Sequence, residues 1–254
     1  MASATGMPAR AEAGGPEPSD TEPLLGRPGD VIQRRDTSFP QNFVMGTASL
    51  AQLGAVLGLI LVWASVFNKP LIIFSAHPLL QSLAVFTLIQ SVLSLQPTHT
   101  AEQKRLGQRV HASLNLVALL LLIAGVTIIE YNKLSSHGPH FHSVHGYLGV
   151  IVSIVIIVQY LVGFTMWAVP ALYGGEVRAR SVWKYHRYSG YAVLLLLLVT
   201  VCSATETDYN RNVLHMKLWA VVMASILVVV GVFPRIQKYK LGLGTAPPPR
   251  EAAR

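Results

Sequence analysis

The sequence predicts an all-α, polytopic membrane protein: a six-helix bundle in which spans 2 to 5 form a four-helix core. Three observations carry that expectation. Hydrophobic residues make up 52% of the 254-residue chain and charged residues only 13%, about half the charged share of a soluble domain. The apolar residues gather in six uninterrupted runs, each about the length needed to cross a hydrocarbon core of roughly 30 Å at about 1.5 Å per residue. Near the head of four consecutive runs stands a histidine: His77, His111, His145 and His186. An imidazole inside a membrane helix is costly and marks a functional site by default.

Residues 1–42 are rich in Ala, Gly, Pro, Glu and Ser and poor in large apolar side chains, so they are expected to be a disordered tail. No basic segment followed by an apolar core opens the chain, and no cleaved signal peptide is expected. Within the tail, Asp20-Thr21-Glu22-Pro23-Leu24-Leu25 is similar to an acidic dileucine sorting signal of the kind that directs cargo to vacuoles and lysosomes; a chance match in a biased tail is the equal alternative. The membrane domain is expected at 43–234, followed by a basic, Pro-rich tail at 235–254.

Span 1 runs from about Phe43 to Phe67 and carries no histidine; its Gly54-x-x-x-Gly58 pair offers a small-residue face for a neighbouring helix. Span 2 covers about Leu71 to Leu95. Its His77-Pro78 lies in the first turns, where a missing N–H leaves no helical bond unmade. A polar connection, Gln96 to Arg109, contains Lys104, Arg105 and Arg109 and leads to span 3, about Val110 to Ile129. A loop with His137, His140 and His142 precedes span 4, which runs from Val144 through Gln159 and Gly163 to Pro170. The next loop holds Arg178, Arg180 and Lys184; span 5 is about His186 to Ala204, and span 6 about Val213 to Phe233, with Lys217 reaching back to the interface. The one cysteine, Cys202, excludes an intramolecular disulfide, a c-type haem attachment and a thiolate cluster, and reads as a small packing residue.

The net charge of +8 follows from topology and does not call for a nucleic acid. The N-tail, the 2–3 connection, the 4–5 connection and the C-tail hold 16 of the 20 Lys and Arg residues. The positive-inside rule therefore places both termini in the cytoplasm.

Consecutive spans run antiparallel, so histidines at successive span heads alternate between membrane faces. His77 and His145 fall toward the non-cytoplasmic face, His111 and His186 toward the cytoplasmic one. Two imidazoles facing each other across a bundle can ligate a haem from both sides, and an iron with both axial positions filled serves electron transfer. Gly146, Gly149 and Gly190 lie within four residues of a histidine and could leave room for a flat macrocycle. Any one of the four histidines taken alone is better read as a hydrogen bond to a neighbouring helix; the alternation and similar depth of all four argue against that reading. His99, His137, His140, His142 and His215 lie in loops or at an interface and are expected to be exposed.

These features resemble the cytochrome b561 family, the six-helix, two-haem transmembrane electron carriers. The resemblance covers about residues 74–205 and rests on His77-Pro78, on His111 preceded by basic residues, on His145 with Gly149, Gln159 and Gly163-Phe164, and on His186 with Gly190. The positions of Gln159 and Gly163 select His145 over His142. The resemblance implies two non-covalent b-type haems, on His77/His145 and on His111/His186, with cytoplasmic ascorbate as donor and monodehydroascorbate or a ferric chelate as acceptor across the membrane. It further implies a basic residue before the span-3 histidine and another in the 4–5 connection holding the ascorbate anion: Arg105 or Arg109 for the first, Arg178, Arg180 or Lys184 for the second. The chain is similar to the short single-domain members, fungal ones among them.

The expected partners are therefore the bilayer, ascorbate, the acceptor and a second copy in a homodimer, on a vacuolar, lysosomal or other endomembrane. The rival reading is a histidine-based divalent metal transporter with His137, His140 and His142 as a capture loop. It is weakened because such sites gather three or four ligands, often carboxylates, and no Asp or Glu lies deep in any span.

Overall fold

The computed structural model describes residues 31–34, 37–241 and 243, and the Asp20–Leu25 motif lies outside them. Six α-helices account for most of the described residues: α1 (Ala48–Phe67), α2 (Ala76–Leu95), α3 (Ala101–Ser136), α4 (Val144–Ala168), α5 (Glu176–Ser203) and α6 (Leu218–Val232). No strand occurs among the described residues. With the short 3-10 turns that flank α2, α5 and α6, all six segments are long and apolar enough to cross a membrane.

Side-chain ties between neighbours establish the antiparallel order. Gln52 and Trp63 of α1 meet Gln90 and Ser82 of α2, His77 and Ser91 of α2 meet Gly125 and His111 of α3, and His145 and Gln159 of α4 meet Thr200 and His186 of α5. Helix α2 packs most extensively on α3, α1 on α6 and α4 on α5, while α3–α4 and α5–α6 contacts close the ring. The small-residue face of α1 is used against α6. A Cβ at Gly54 would lie 2.5 Å from the Ala224 carbonyl oxygen and 2.9 Å from the Val228 nitrogen, and one at Gly231 would collide with the Ala51 backbone. Close backbone approach between membrane helices needs such residues.

Three apolar clusters fill the interior among the described residues, the smallest being Val62, Val66 and Leu214; the other two bear on the site. One joins Ala48, Ala51 and Ala55 of α1 to Ile89 and Leu93 of α2, Leu194 and Leu198 of α5, and Val228 and Val232 of α6. The other joins Ala84, Leu122, Val152, Ile156 and Leu197, one or two residues from each of α2 to α5, and forms the middle of the four-helix core. Cys202 packs at the α5–α6 contact, its Sγ 3.6 Å from the Ser225 hydroxyl.

Several boundaries differ from the sequence expectation, and three of them bear on the site or on α6. Helix α3 starts at Ala101, nine residues before the expected head of span 3, and continues to Ser136. A capping box starts it: the Thr100 hydroxyl accepts from the Gln103 N–H at 3.2 Å, and the Gln103 side chain accepts from the Thr100 N–H at 3.1 Å. In the sequence its charged first turns resemble a connection, because polarity marks the end of an apolar run and not the end of a helix. For the same reason Arg178, Arg180 and Lys184 lie on α5 and not in a loop; α5 begins at Glu176, after left-handed Gly174 and Gly175 turn the chain. Span 6 begins later than Val213. Asn210–Leu214 is a π-helical turn ended by left-handed His215, and the buried Asn210 side chain binds Thr205 and Met216 backbone groups, so α6 starts only after Lys217.

Parts of the expected tails are packed. Asn42 is fully buried, donating to the Gln33 side chain at 2.9 Å and to the Ser94 carbonyl at 3.1 Å. At the other terminus Arg235 and Gln237 are buried, and the Gln237 amide donates to the Val31 carbonyl at 2.9 Å. Both described ends of the chain thus meet at one end of the bundle, called here the terminal end.

Candidate functional site

The four span histidines meet in two pairs at opposite ends of the core. The rings of His77 and His145 have their centroids 6.3 Å apart, and those of His111 and His186 6.5 Å apart. The second pair lies toward the terminal end. The pairs are separated by the α2–α5 apolar cluster and by about 20 Å of helix rise between His111 and Gly125, the residue that holds His77. His77 and His145 are each the second residue of their helices, whereas His111 and His186 sit ten residues beyond the starts of α3 and α5.

Each ring but one is oriented through Nδ1. His77 Nδ1 donates to the Gly125 carbonyl at 2.9 Å and His145 Nδ1 to the Thr200 carbonyl at 2.9 Å. His111 Nδ1 lies 2.8 Å from the Ser91 hydroxyl and 3.1 Å from the Ser91 carbonyl. An Nδ1–H held by an oxygen leaves Nε2 as the lone-pair donor, the arrangement metal-ligating histidines adopt. The exception is His186, whose Nδ1 is buried without a hydrogen-bond partner. Its ring is placed instead by packing and by its backbone: Gln159 donates to the His186 carbonyl at 2.7 Å and accepts from the Ser189 hydroxyl at 2.7 Å. Phe74 stacks on His77 at 5.7 Å and in turn meets Tyr209 edge-on at 4.5 Å.

The glycines divide by role. Gly163 leaves room for the His186 ring, and Gly190 faces Gln159, whose Nε2 would lie 3.1 Å from an added Cβ. Gly149 faces open space. Gly125, which the sequence did not single out, lets Gln81 approach α3 and offers its carbonyl to His77. The five remaining histidines are exposed, as expected.

A cavity of about 260 Å³ opens beside His111 and His186, walled by apolar side chains such as Leu88, Ile156, Phe164 and Leu194. Its polar lining includes Gln96, Asn115, Gln159, Tyr191 and four cations: Lys104, Arg187, Arg235 and Lys240. Arg105, Arg109, Arg178 and Lys184, the residues expected to hold an anionic donor, do not line it; they are exposed on the outer faces of α3 and α5. The inner cations were missed because no local pattern separates them from topology charge. Lys240 donates to the Gln96 and Thr98 carbonyls at 3.0 and 2.8 Å. Burial, and after it the nearby Arg187 and Lys104 charges, lower its pKa to about 7.

The donor set fits a bis-histidine haem. A metal–imidazole bond of about 2 Å on each side, plus about 1 Å from nitrogen to ring centre, spans roughly 6 Å between centroids. Both pairs have that separation, with Nε2 of all four rings unengaged by the described residues. Among the described residues, no group of three or more His, Cys, Asp or Glu side chains is assembled to hold a metal ion, so the multi-ligand set of a transported divalent metal is not formed there.

Residues 76–211 match the family model for eukaryotic cytochrome b561, a stretch that contains all four paired histidines. The chain is 28% identical over 162 residues to the transmembrane ascorbate-dependent reductase CYB561 of Homo sapiens, covering 62% of this chain and 61% of that protein. It is 31% identical over 156 residues to the plasma membrane ascorbate-dependent reductase CYBRD1 of Mus musculus, covering 56% and 51%. To a putative transmembrane ascorbate-dependent reductase CYB561 homolog of Caenorhabditis elegans it is 26% identical over 194 residues, covering 70% and 72%. It thus spans about 61% of the length of the human relative. With more than half of its length matched by the family model, the chain belongs to the eukaryotic cytochrome b561 family, and family membership implies that it binds haem b.

Proposed function

We propose that this protein is a transmembrane oxidoreductase that passes single electrons from cytoplasmic ascorbate to monodehydroascorbate or a ferric chelate on the other side. Two haems b, one on His77/His145 and one on His111/His186, supply the redox chemistry. The observation that carries this reading is the presence of two facing histidine pairs, at 6.3 and 6.5 Å, at opposite ends of one apolar core.

The chain's own residues have separable tasks. The Gly125 and Thr200 carbonyls and Ser91 hold the Nδ1 sides of His77, His145 and His111, leaving Nε2 to ligate. Ala84, Leu122, Val152, Ile156 and Leu197 exclude water between the two pairs. Exposed Arg105, Arg109, Arg178 and Lys184 draw the ascorbate anion toward the terminal end, where Lys104 lies at the cavity. The terminal end is then the cytoplasmic one, in keeping with the positive-inside expectation for the segments that hold most of the basic residues. The dileucine motif favours a vacuolar, lysosomal or other endomembrane, and the bilayer is its structural partner.

The test is a reduced-minus-oxidised absorption spectrum of the purified protein, followed by reconstitution into vesicles with ascorbate on one side and ferricyanide on the other. Two haems per chain and electron passage across the vesicle support the reading. A haem-free protein, or haems that ascorbate does not reduce, would sink it.

A further inference from the structure

Arg235 ends the last membrane segment and is 1% exposed. One of its nitrogens, Nη2, donates to the Asn42 carbonyl at 3.0 Å. Nε and Nη1 are buried with no hydrogen-bond partner. A guanidinium is always charged and carries five donors, so burying it with most of them unused is a standing penalty unless an acceptor joins it. The side chain lines the cavity beside His111 and His186, whose lining includes three further cations and no Asp or Glu. Arg187 is partly engaged, donating to the Lys240 carbonyl at 2.6 Å and lying over the Trp183 ring, and Lys240 is turned onto two carbonyls. Arg235 is the cation in this wall whose remaining donors are buried and unsatisfied.

We propose that Arg235 anchors an oxyanion inside this cavity, and that the oxyanion is a propionate carboxylate of the haem on His111/His186. The inference rests on the haem-binding reading above and extends it to a residue outside the four haem-ligating helices. Propionate is favoured over an incoming reductant because Arg235 is sealed from solvent, whereas an anion arriving from water meets exposed Arg105 and Arg109 first. A carboxylate held there would satisfy the orphaned donors by charge-assisted hydrogen bonds. It would also tie the start of the C-terminal segment to the haem.

The experiment uses the full-length, haem-loaded protein and compares the parent with Arg235→Gln and Arg235→Met. Haem per chain, the midpoint potential of each haem, and reduction rates by ascorbate and by an uncharged quinol are read for each. The expected result is loss of one haem, or a lowered potential for one haem, because removing the nearby positive charge favours the ferric form. Both reductants should then be affected alike. Unchanged potentials with a roughly tenfold rise in the ascorbate concentration needed, and no change with the quinol, would support the oxyanion site but assign it to the reductant. Parent values in all four readings from a folded variant would overturn the proposal. If Arg235→Gln does not fold, Arg235→Met carries the same readings, since an apolar replacement removes the buried charge and its unused donors at the cost of the one bond to the Asn42 carbonyl. A parent that binds no haem would instead refute the proposed function.

Discussion

Gly163 faces the imidazole of His186 so closely that an added Cβ would lie 2.6 Å from its Cε1 and 3.1 Å from its Nε2. The ring must therefore shift if the glycine is replaced, and with Nδ1 unpaired it has no hydrogen bond to resist the shift. Gly163→Ala should perturb the absorption spectrum and potential of the haem proposed on His111/His186 and leave the one proposed on His77/His145 unchanged. Gly58, where a Cβ would meet only Ala224 Cβ at 3.8 Å, is the control. Gly58→Ala should leave both haems as in the parent. Equal spectra for Gly163→Ala and Gly58→Ala would show that the His186 ring is not held by this contact.

The pairing by ends makes haem loss separable. His145→Ala removes one partner of His77, 6.3 Å away, and leaves the His111/His186 pair intact. About one haem per chain should remain by pyridine haemochrome assay. His77→Ala combined with His111→Ala takes one ligand from each pair and should leave none. If that double variant kept one full haem, the pairing would be wrong.

How far the sequence reached is seen best at two arginines. Arg109 sits beside a histidine at a span head, so its sequence neighbours alone suggested a role, and it lies exposed on α3 outside the cavity wall. Arg235 follows an apolar run like any topology charge, yet it is buried on Asn42 across 193 residues of chain. Helix number, antiparallel order and histidine pairing were legible because bilayer thickness converts apolar length into spans and alternation into faces. The Gly54 face was legible as spacing, though its partner α6 was not. Gly125, Ser91 and Thr200, which orient three of the histidines, were invisible because each acts through contact with another helix.

Arg105 and Arg109 lie one helical turn apart on the exposed side of α3. Exposed charges attract an anion from a distance, and salt screens them: the Debye length is about 10 Å at 0.1 M and about 3 Å at 1 M. Replacing both by Ala should slow reduction by ascorbate several-fold at low ionic strength while leaving the haem spectrum and reduction by an uncharged quinol unchanged. The difference from the parent should fade toward 1 M salt, as the Debye length falls to about 3 Å. A deficit that is the same at all salt concentrations would point to a direct contact; no deficit at low salt would remove both residues from the donor path.

Lys240 links pH to stability at the terminal end. Its side chain is held on the Gln96 and Thr98 carbonyls, next to Arg187 and Lys104, and burial followed by those two charges lowers its pKa to about 7. In the unfolded chain the same amine titrates at about 10.4. Below pH 7 both states carry the proton, so the folded protein bears the full penalty of a buried, crowded cation. Between about pH 7 and 10 the folded state releases the proton while the unfolded state keeps it, and stability rises with pH wherever the unfolded state binds more protons. The neutral amine still donates to the two carbonyls, so the contact survives the titration. Lys240→Met removes this group from the balance. Thermal unfolding of parent and variant in the same detergent, from pH 6 to 9.5, should show the parent gaining on the variant as pH rises above 7, with no change in the gap below it. A gap that stays flat across the range, or that narrows in the other direction, would mean that the Lys240 amine keeps its ordinary pKa in the folded protein.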